Sequence, residues 1–168
     1  MGNGLKFQRA NESLKLFGFC DSDWGASSDR RSITGYGFQL CNNGPLISWK
    51  SRKQQTVALS SCEAEYIAIT AGIQEAKFLR QLLVDMQGGD MATVTMYVDN
   101  QGAISLAKNP VHHQRTKHID IRYHFIRLEI QNDVVKLEYV PTEDNIADVF
   151  TKPVSKMRLD KFTPLRGV

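Results

Sequence analysis

Two acidic residues stand where a folded chain would bury them, and they could bind a divalent cation. Asp21 and Asp99 each follow an apolar run that is typical of a β-strand. A carboxylate at the end of a buried strand is costly unless a cation or hydrogen bonds neutralise it. Carboxylate oxygens suit Mg²⁺ or Mn²⁺ rather than zinc. The alternative is that each acid only caps a turn or a helix, especially Asp99 before Asn100-Gln101-Gly102.

Helical geometry distinguishes two glutamates of one predicted helix. The stretch from Ser60 to Gln87 has apolar residues at helical spacing, and Gly88-Gly89 follows it. At about 100° per residue, Glu65 lies on the same side as the apolar stripe, whereas Glu63 lies on the solvent side. Glu65 is therefore the third candidate ligand. The alternative is a paired glutamate at the edge of the core.

A last helix, predicted to begin with Thr142 as its N-cap, offers further acids. Glu143 and Asp144 fall in its first turn, where the helix dipole favours acidic side chains. Asp148 lies deeper among apolar neighbours, which makes it the fourth candidate, although the sequence alone leaves this choice open. Four converging carboxylates suit phosphoryl chemistry, in which one metal ion activates water and a second stabilises the leaving oxygen.

The elements that would position these acids follow an α/β pattern. Strands are predicted at 14–21, 35–40, 46–49, 93–98 and 134–140, and helices at 60–87, 100–108, 118–131 and from 142. The first three strands form an antiparallel meander, whereas the later strands alternate with helices and need crossovers. The pattern predicts a mixed five-stranded sheet covered by helices. Gly72, on the apolar stripe of the long helix, would let that helix approach the sheet closely.

Composition narrows the class of protein. The 168 residues suit one domain, and apolar and charged fractions of 42% and 23% exclude a disordered or fibrous chain. No apolar run approaches the roughly 18 residues of a membrane span, so no membrane partner is expected. Three cysteines without a CxxC motif argue against a disulfide framework and favour an intracellular setting.

The charge distribution indicates a polyanionic partner. The net charge is only +3, but all four histidines and five Lys or Arg residues fall within 108–127, with Asp120 as the only acid until Arg127. Such a basic face is typical of nucleic-acid binding, although a solvated helix face is an equal alternative. We expect an upstream remnant or linker at 1–13, the folded domain at 14–155, and a basic, loosely held tail that begins near Pro153 and occupies 156–168.

Several motifs between residues 14 and 155 resemble the ribonuclease H domain of copia-type retrotransposon polyproteins, which lies C-terminal to the reverse transcriptase. They are Cys20 to Trp24, Asp29 to Tyr36, Ile47 to Gln54, Ser60 to Tyr66, Val98 to Gln101, Arg115 to Asp120 and Ala147 to Lys152. Each motif is weak alone, but together they are specific. The resemblance implies the α/β ribonuclease H-like fold, with the mixed five-stranded sheet, its strands 1–3 antiparallel, flanked by helices.

The resemblance also implies a catalytic centre. Four acids match the family's catalytic, metal-binding set: Asp21, Glu65, Asp99 and Asp148. Two Mg²⁺ or Mn²⁺ ions per site would support hydrolysis of the RNA strand of RNA–DNA hybrids. In the family's mechanism the first aspartate bridges both ions, one of which orients the attacking water while the other stabilises the 3′ leaving oxygen.

Hybrid contacts are implied by the same matches. Gln101 matches a hybrid-contacting glutamine, and Asn100 beside it replaces the family's serine. Ser60 and Ser61 fall where family members touch the nucleic-acid backbone, with helix capping as an equal alternative. The remaining expected contacts come from the basic stretch and are Arg115, Lys117 and His118.

One departure from the family pattern concerns a histidine loop. Many ribonucleases H have a histidine between the last strand and the last helix, whereas Tyr139 to Asn145 is short and holds none. His118 and His124 are candidate substitutes for its role in proton transfer or product release.

The sequence is compatible with three functions. The first is an active metal-dependent nuclease, made in a polyprotein with a reverse transcriptase and working in a cytoplasmic virus-like particle or in the nucleus. The second is a catalytically decayed or host-adopted module that only binds nucleic acid, and the four acids, all of them present, argue against it. The third is a different nuclease or strand transferase of the same superfamily.

Overall fold

The sheet has five strands in the order β3-β2-β1-β4-β5. The structure, a computed structural model, describes residues 14–41, 44–108 and 117–162. The strands are β1 (Phe17–Asp23), β2 (Ile33–Gln39), β3 (Leu46–Lys53), β4 (Val94–Val98) and β5 (Val135–Tyr139). β1 to β3 pair antiparallel, whereas β4 lies parallel to both β1 and β5. The predicted mixed sheet is therefore confirmed.

Helices cover the sheet. They are α1 (Ser61–Gln87), α2 (Gln101–Lys108), α3 (Lys117–Gln131) and the short α4 (Lys156–Lys161). In the described part of the chain, no helix combines the length and the apolar character that a bilayer crossing requires. The main core lies between the sheet and α1 to α3, and a second buried cluster on the opposite face includes Phe19, Leu46, Ile146, Ala147 and Phe162.

The long helix begins and ends as its sequence predicts. The Ser60 hydroxyl accepts a hydrogen bond from the Glu63 amide, and Gly88 adopts a left-handed conformation (φ 70°) after the last turn. Gly72 lies directly over the sheet, since a Cβ there would fall 2.8 Å from the Met96 Cε atom of β4. The predicted close approach of α1 to the sheet is therefore confirmed.

The predicted helix from Thr142 is wrong. Two 3₁₀ turns, Thr142–Asp144 and Ile146–Phe150, replace it, and the Thr142 hydroxyl does not cap either of them. Asn145 separates the turns with extended backbone, because its side chain donates to the Cys20 carbonyl in β1 and accepts from the Ala147 amide. These contacts with the sheet cannot be read from local helix signals.

The predicted loose tail is also wrong for the residues that the structure describes. Ser155 caps α4 through a hydrogen bond from the Arg158 amide, and Phe162, only 4% exposed, packs in the second cluster. We therefore propose that the domain extends from residue 14 to at least Phe162, rather than ending at 155. The segments 1–13 and 163–168 lie outside the described residues.

Gly35 in β2 provides a test of how closely the 3₁₀ turns pack on the sheet. A Cβ at Gly35 would lie 2.7 Å from Thr151 Cγ2 and 2.8 Å from the Ala147 carbonyl oxygen. Because backbone cannot move aside cheaply, we expect Gly35→Ala to lower the free energy of unfolding by about 1–3 kcal/mol in urea titrations. Gly89→Ala is the control, since no atom lies within 4 Å of a Cβ there. Equal stability of the two variants would contradict the close packing.

Candidate active site

Three of the four predicted acids come together at one end of the sheet. Cys20 in β1 pairs with Val98 in the parallel strand β4, so the residues that follow them, Asp21 and Asp99, lie side by side. Glu65 reaches the same point from the second turn of α1. One carboxylate oxygen from each acid lies within 4.8 Å of the other two.

Hydrogen-bond donors hold each of these carboxylates. The backbone amide and the hydroxyl of Ser22 both donate to Glu65 Oε1, at 3.1 and 2.8 Å. The Thr151 hydroxyl donates to Asp21 Oδ2, and the Thr142 hydroxyl donates to Asp99 Oδ2 at 2.8 Å. Thr142, wrongly predicted to be a helix cap, thus positions an acid instead.

The cluster has negative charge that the described residues do not neutralise. Among them, no cation forms an ion pair with Asp21, Glu65 or Asp99. The buried Glu65 Oε2 atom has no hydrogen-bond partner in the described part of the chain. An oxygen-only set with an unpartnered buried carboxylate oxygen fits a hard divalent cation such as Mg²⁺ or Mn²⁺.

Burial and mutual repulsion raise the pKa values of the two buried acids of the cluster, Glu65 and Asp21. Burial, followed by the negative charge of Asp21, raises the pKa of Glu65 from 4.5 to about 8, against the hydrogen bonds from Ser22. Burial also raises the pKa of Asp21 from 3.8 to about 6, opposed by the Thr151 hydrogen bond and reinforced by Asp99 and Asp148. Without a metal ion, Glu65 is therefore mostly protonated near neutral pH, whereas Asp21 is mostly protonated only below about pH 6.

Asp148 differs from the other three acids because it is already neutralised. It is fully buried, and it pairs with Lys152 Nζ at 2.7 Å and with Arg158 Nη1 at 2.6 Å. It is close enough for its charge to raise the pKa of Asp21, but it is not one of the three acids that could share an ion. The structure thus brings three of the four acids together, whereas the fourth forms salt bridges with Lys152 and Arg158.

Arg158 connects this fourth acid with the segment that positions Asp99. Its Nη2 atom donates to the Thr142 carbonyl oxygen, and the Thr142 hydroxyl in turn donates to Asp99. Sequence reasoning missed both cations beside Asp148. Lys152 could have been found from its i, i+4 spacing, but no local signal links Arg158 to Asp148.

The residues predicted to contact nucleic acid at the starts of α1 and α2 lie near Glu65 and Asp99 along the chain. Ser60 and Asn100 are N-caps, because their side chains accept hydrogen bonds from the amides of Glu63 and Ala103. Ser61 and Gln101 are the exposed first residues of α1 and α2. Capping is therefore an observed role for Ser60 and Asn100, and nucleic-acid contact stays a prediction for all four.

The basic stretch is described only in part. Arg115 lies outside the described residues, and the side chains of Lys117 and His118 at the start of α3 lie outside them as well. His124, a candidate substitute for the missing loop histidine, is exposed and lies 3.5 Å from Asp120 one turn earlier in α3. Its proposed role stays a prediction.

Comparison with curated proteins identifies the relatives of this chain. No family model matches it. It is 39% identical over 168 residues to the retrovirus-related Pol polyprotein from transposon TNT 1-94 of Nicotiana tabacum, covering 99% of this chain and 12% of that protein. It is 37% identical over 163 residues to the corresponding polyprotein from transposon RE2 of Arabidopsis thaliana, covering 96% and 11%. Its homologues are copia-type retrotransposon Pol polyproteins.

The chain spans only about an eighth of the length of these polyproteins. Solved structures extend the comparison to the fold. LC11-RNase H1, isolated from compost by a metagenomic approach, matches with a TM-score of 0.63 at 15% identity, over 88% of this chain and 96% of that one. A prototype foamy virus protease-reverse transcriptase matches with a TM-score of 0.54 at 13% identity, over 90% and 22%. The chain therefore has the ribonuclease H fold, as its motifs predicted.

The raised pKa of Glu65 makes a prediction about stability. Between about pH 4.5 and 8, folded protein without metal holds a proton on Glu65 that the unfolded chain releases, so stability falls as pH rises through this window. In wild type, the free energy of unfolding should fall by up to about 1.4 kcal/mol per pH unit in this window. We expect Glu65→Gln to remove this dependence, as measured by urea titrations with EDTA. Glu143→Gln, at an exposed acid, is the control. Curves for Glu65→Gln and wild type that run parallel would contradict the prediction.

The two salt bridges of Asp148 allow a prediction about stability as well. Arg158→Met leaves this fully buried carboxylate with Lys152 alone, so we expect the metal-free protein to lose about 1–3 kcal/mol of unfolding free energy. Lys156→Met, at an exposed cation of the same helix, should change stability by less than about 0.5 kcal/mol. A similar loss in both variants would mean that the Arg158 bridge does not stabilise the fold.

Proposed function

We propose that this chain is a metal-dependent endonuclease that hydrolyses the RNA strand of RNA–DNA hybrids. The observation that carries the proposal is the cluster of Asp21, Glu65 and Asp99, whose oxygens lie within 4.8 Å of one another in a ribonuclease H fold. The homology to retrotransposon Pol polyproteins supports it, since 96–99% of the chain aligns with them. A structure of LC11-RNase H1 in complex with an RNA/DNA hybrid also matches, with a TM-score of 0.61.

The proposed cofactor is Mg²⁺ or Mn²⁺, with two ions per site. Asp21, Glu65 and Asp99 would hold them, and Asp148 would join as the fourth ligand if its carboxylate left Lys152 or Arg158. Bound divalent ions supply Lewis acidity, which lowers the pKa of water and stabilises charge on phosphoryl and leaving oxygens.

The side chains around the acids would orient them for this chemistry. Ser22 fixes Glu65, Thr151 fixes Asp21 and Thr142 fixes Asp99, so each carboxylate keeps one preferred direction. Because burial raises the pKa of Glu65 to about 8, its proton has to leave before the carboxylate binds a cation. Cation affinity should therefore increase as pH rises toward 8.

The substrate and partners are part of the same proposal. Four residues at the starts of α1 and α2, near Glu65 and Asp99 in sequence, are expected to contact the hybrid: Ser60, Ser61, Asn100 and Gln101. Further contacts are expected from the basic stretch, through Arg115, Lys117 and His118. The expected polyprotein partner is a reverse transcriptase, and the expected setting is a cytoplasmic virus-like particle or the nucleus. The structural match to a foamy virus protease-reverse transcriptase is consistent with a reverse transcriptase partner.

Hybrid cleavage by wild type beside Asp99→Asn tests the proposed function. An end-labelled RNA–DNA hybrid is incubated with Mg²⁺, Mn²⁺ or EDTA, with RNA duplex, DNA duplex and single-stranded RNA as substrate controls. We expect cleavage of the hybrid's RNA only, abolished by EDTA. Asp99→Asn should lower the rate by at least roughly a hundredfold, equal to about 2.7 kcal/mol of activation free energy.

The control variant is Asp85→Asn, an exposed acid of α1, which should cleave like wild type. Folded wild type that binds the hybrid without cleaving it would contradict the proposal and favour the binding-module function. Cleavage of duplex DNA would instead indicate a different nuclease of this fold.

A further inference from the structure

A groove of about 460 Å³ lies between β3 and α1, and none of the predicted contact residues lines it. We call it the cationic groove. Its floor includes Thr34 and Tyr36 of β2, its outer edge is formed by Lys50 and Arg52 of β3, and Arg122 of α3 reaches it from the helical side.

Strand alternation explains why these cations face the groove. Ser48 Oγ donates to Glu75 Oε1 of α1 at 2.6 Å, so the even-numbered side of β3 faces that helix. Lys50 and Arg52 follow on the same side, opposite Tyr36 and Thr34 of β2. Among the described strands β3 lies at the edge of the sheet, and both residues are exposed.

The charges of the groove are unbalanced. Lys50, Arg52, Lys53 and Arg122 line it against a single carboxylate, Glu75, which already accepts hydrogen bonds from Ser48 and Tyr36. Lys53 pairs with Asp29 at 3.3 Å. Lys50, Arg52 and Arg122 form no ion pair with any residue that the structure describes. Three unpaired cations from two elements therefore favour an anionic ligand.

One end of the groove adjoins Glu65 along the chain. Gln54, only 4% exposed, donates through Nε2 to Thr34 Oγ1 and to the Ala64 carbonyl, both at 3.0 Å. Ala64 directly precedes Glu65. Along α1, the lining residues extend from Ile67 to Glu75, a length of about 12 Å at 1.5 Å per helical residue. The groove therefore starts within one helical turn of Glu65 along the chain.

We propose that the cationic groove binds the sugar–phosphate backbone of the nucleic acid on one side of the scissile position. Lys50 and Arg52 are about 6.6 Å apart along the strand, a spacing comparable with that of successive phosphates. Arginine and lysine contacts to phosphate are sequence-independent, so the groove adds affinity and register rather than base selection. The identity of the ligand as nucleic acid rests on the proposed function.

Charge reversal in the groove tests the inference. Binding of several RNA–DNA hybrids with unrelated sequences is measured by fluorescence anisotropy in EDTA, over a range of NaCl concentrations. For Lys50→Glu with Arg52→Glu, we expect affinity to fall at least roughly tenfold for every sequence, and the salt slope to decrease by about two, one for each lost phosphate contact. Single Arg52→Ala should reduce the slope by about one.

The matched control carries the same change in net charge. Lys15→Glu with Lys136→Glu alters two exposed lysines, one just before β1 and one at the start of β5, at the end of the sheet away from the acids. Circular dichroism establishes that both pairs fold. If the groove pair and the control pair have the same affinity and salt slope, the groove does not bind the hybrid backbone, and an acidic protein segment becomes the better occupant.

The two proposals fail in distinguishable ways. If wild type cleaves the hybrid and the groove pair binds it as tightly as the control pair does, the groove inference alone is overturned. If wild type does not cleave but the groove pair still lowers affinity and salt slope, the groove is supported and the nuclease proposal is overturned.

Discussion

The mutual repulsion of three carboxylates, two of them buried, at one end of the sheet is the constraint on which the rest of the site depends. Parallel pairing of β1 with β4 forces Asp21 next to Asp99, and α1 brings Glu65 to them. Burial raises the pKa values of Asp21 and Glu65 because the described residues offer them hydrogen bonds but no ion pair. The fold therefore maintains a site that a divalent cation would stabilise.

The remaining polar elements around the sheet compensate for this repulsion. Ser22, Thr142 and Thr151 each donate to one acid, while Lys152 and Arg158 neutralise Asp148. The two 3₁₀ turns and α4 exist in these positions because Asn145 binds the backbone of β1 and Arg158 reaches back across the site. The carboxyl-terminal part of the described chain is thus part of the site rather than a loose tail.

The sequence predicted the acids of the site better than it predicted the side chains that hold them in place. Strand ends and helical period selected Asp21, Asp99 and Glu65, and the structure shows Glu65 buried, whereas Glu63 accepts a hydrogen bond from the Leu59 amide. Local signals failed at Thr142, because Asn145 forms a hydrogen bond to a residue 125 positions away. Arg158 beside Asp148 was missed for the same reason, since tertiary contacts between distant segments leave no periodic pattern.

The most direct test of the central claim is a crystal structure of the protein grown with saturating Mn²⁺, with the ion located by anomalous diffraction. We expect at least one anomalous peak, from an ion within bonding distance of carboxylate oxygens of Asp21, Glu65 and Asp99, and we expect Asp99→Asn to abolish it. An ordered cluster of the three acids without a peak between them, or a peak only elsewhere, would show that these acids do not form a divalent-cation site.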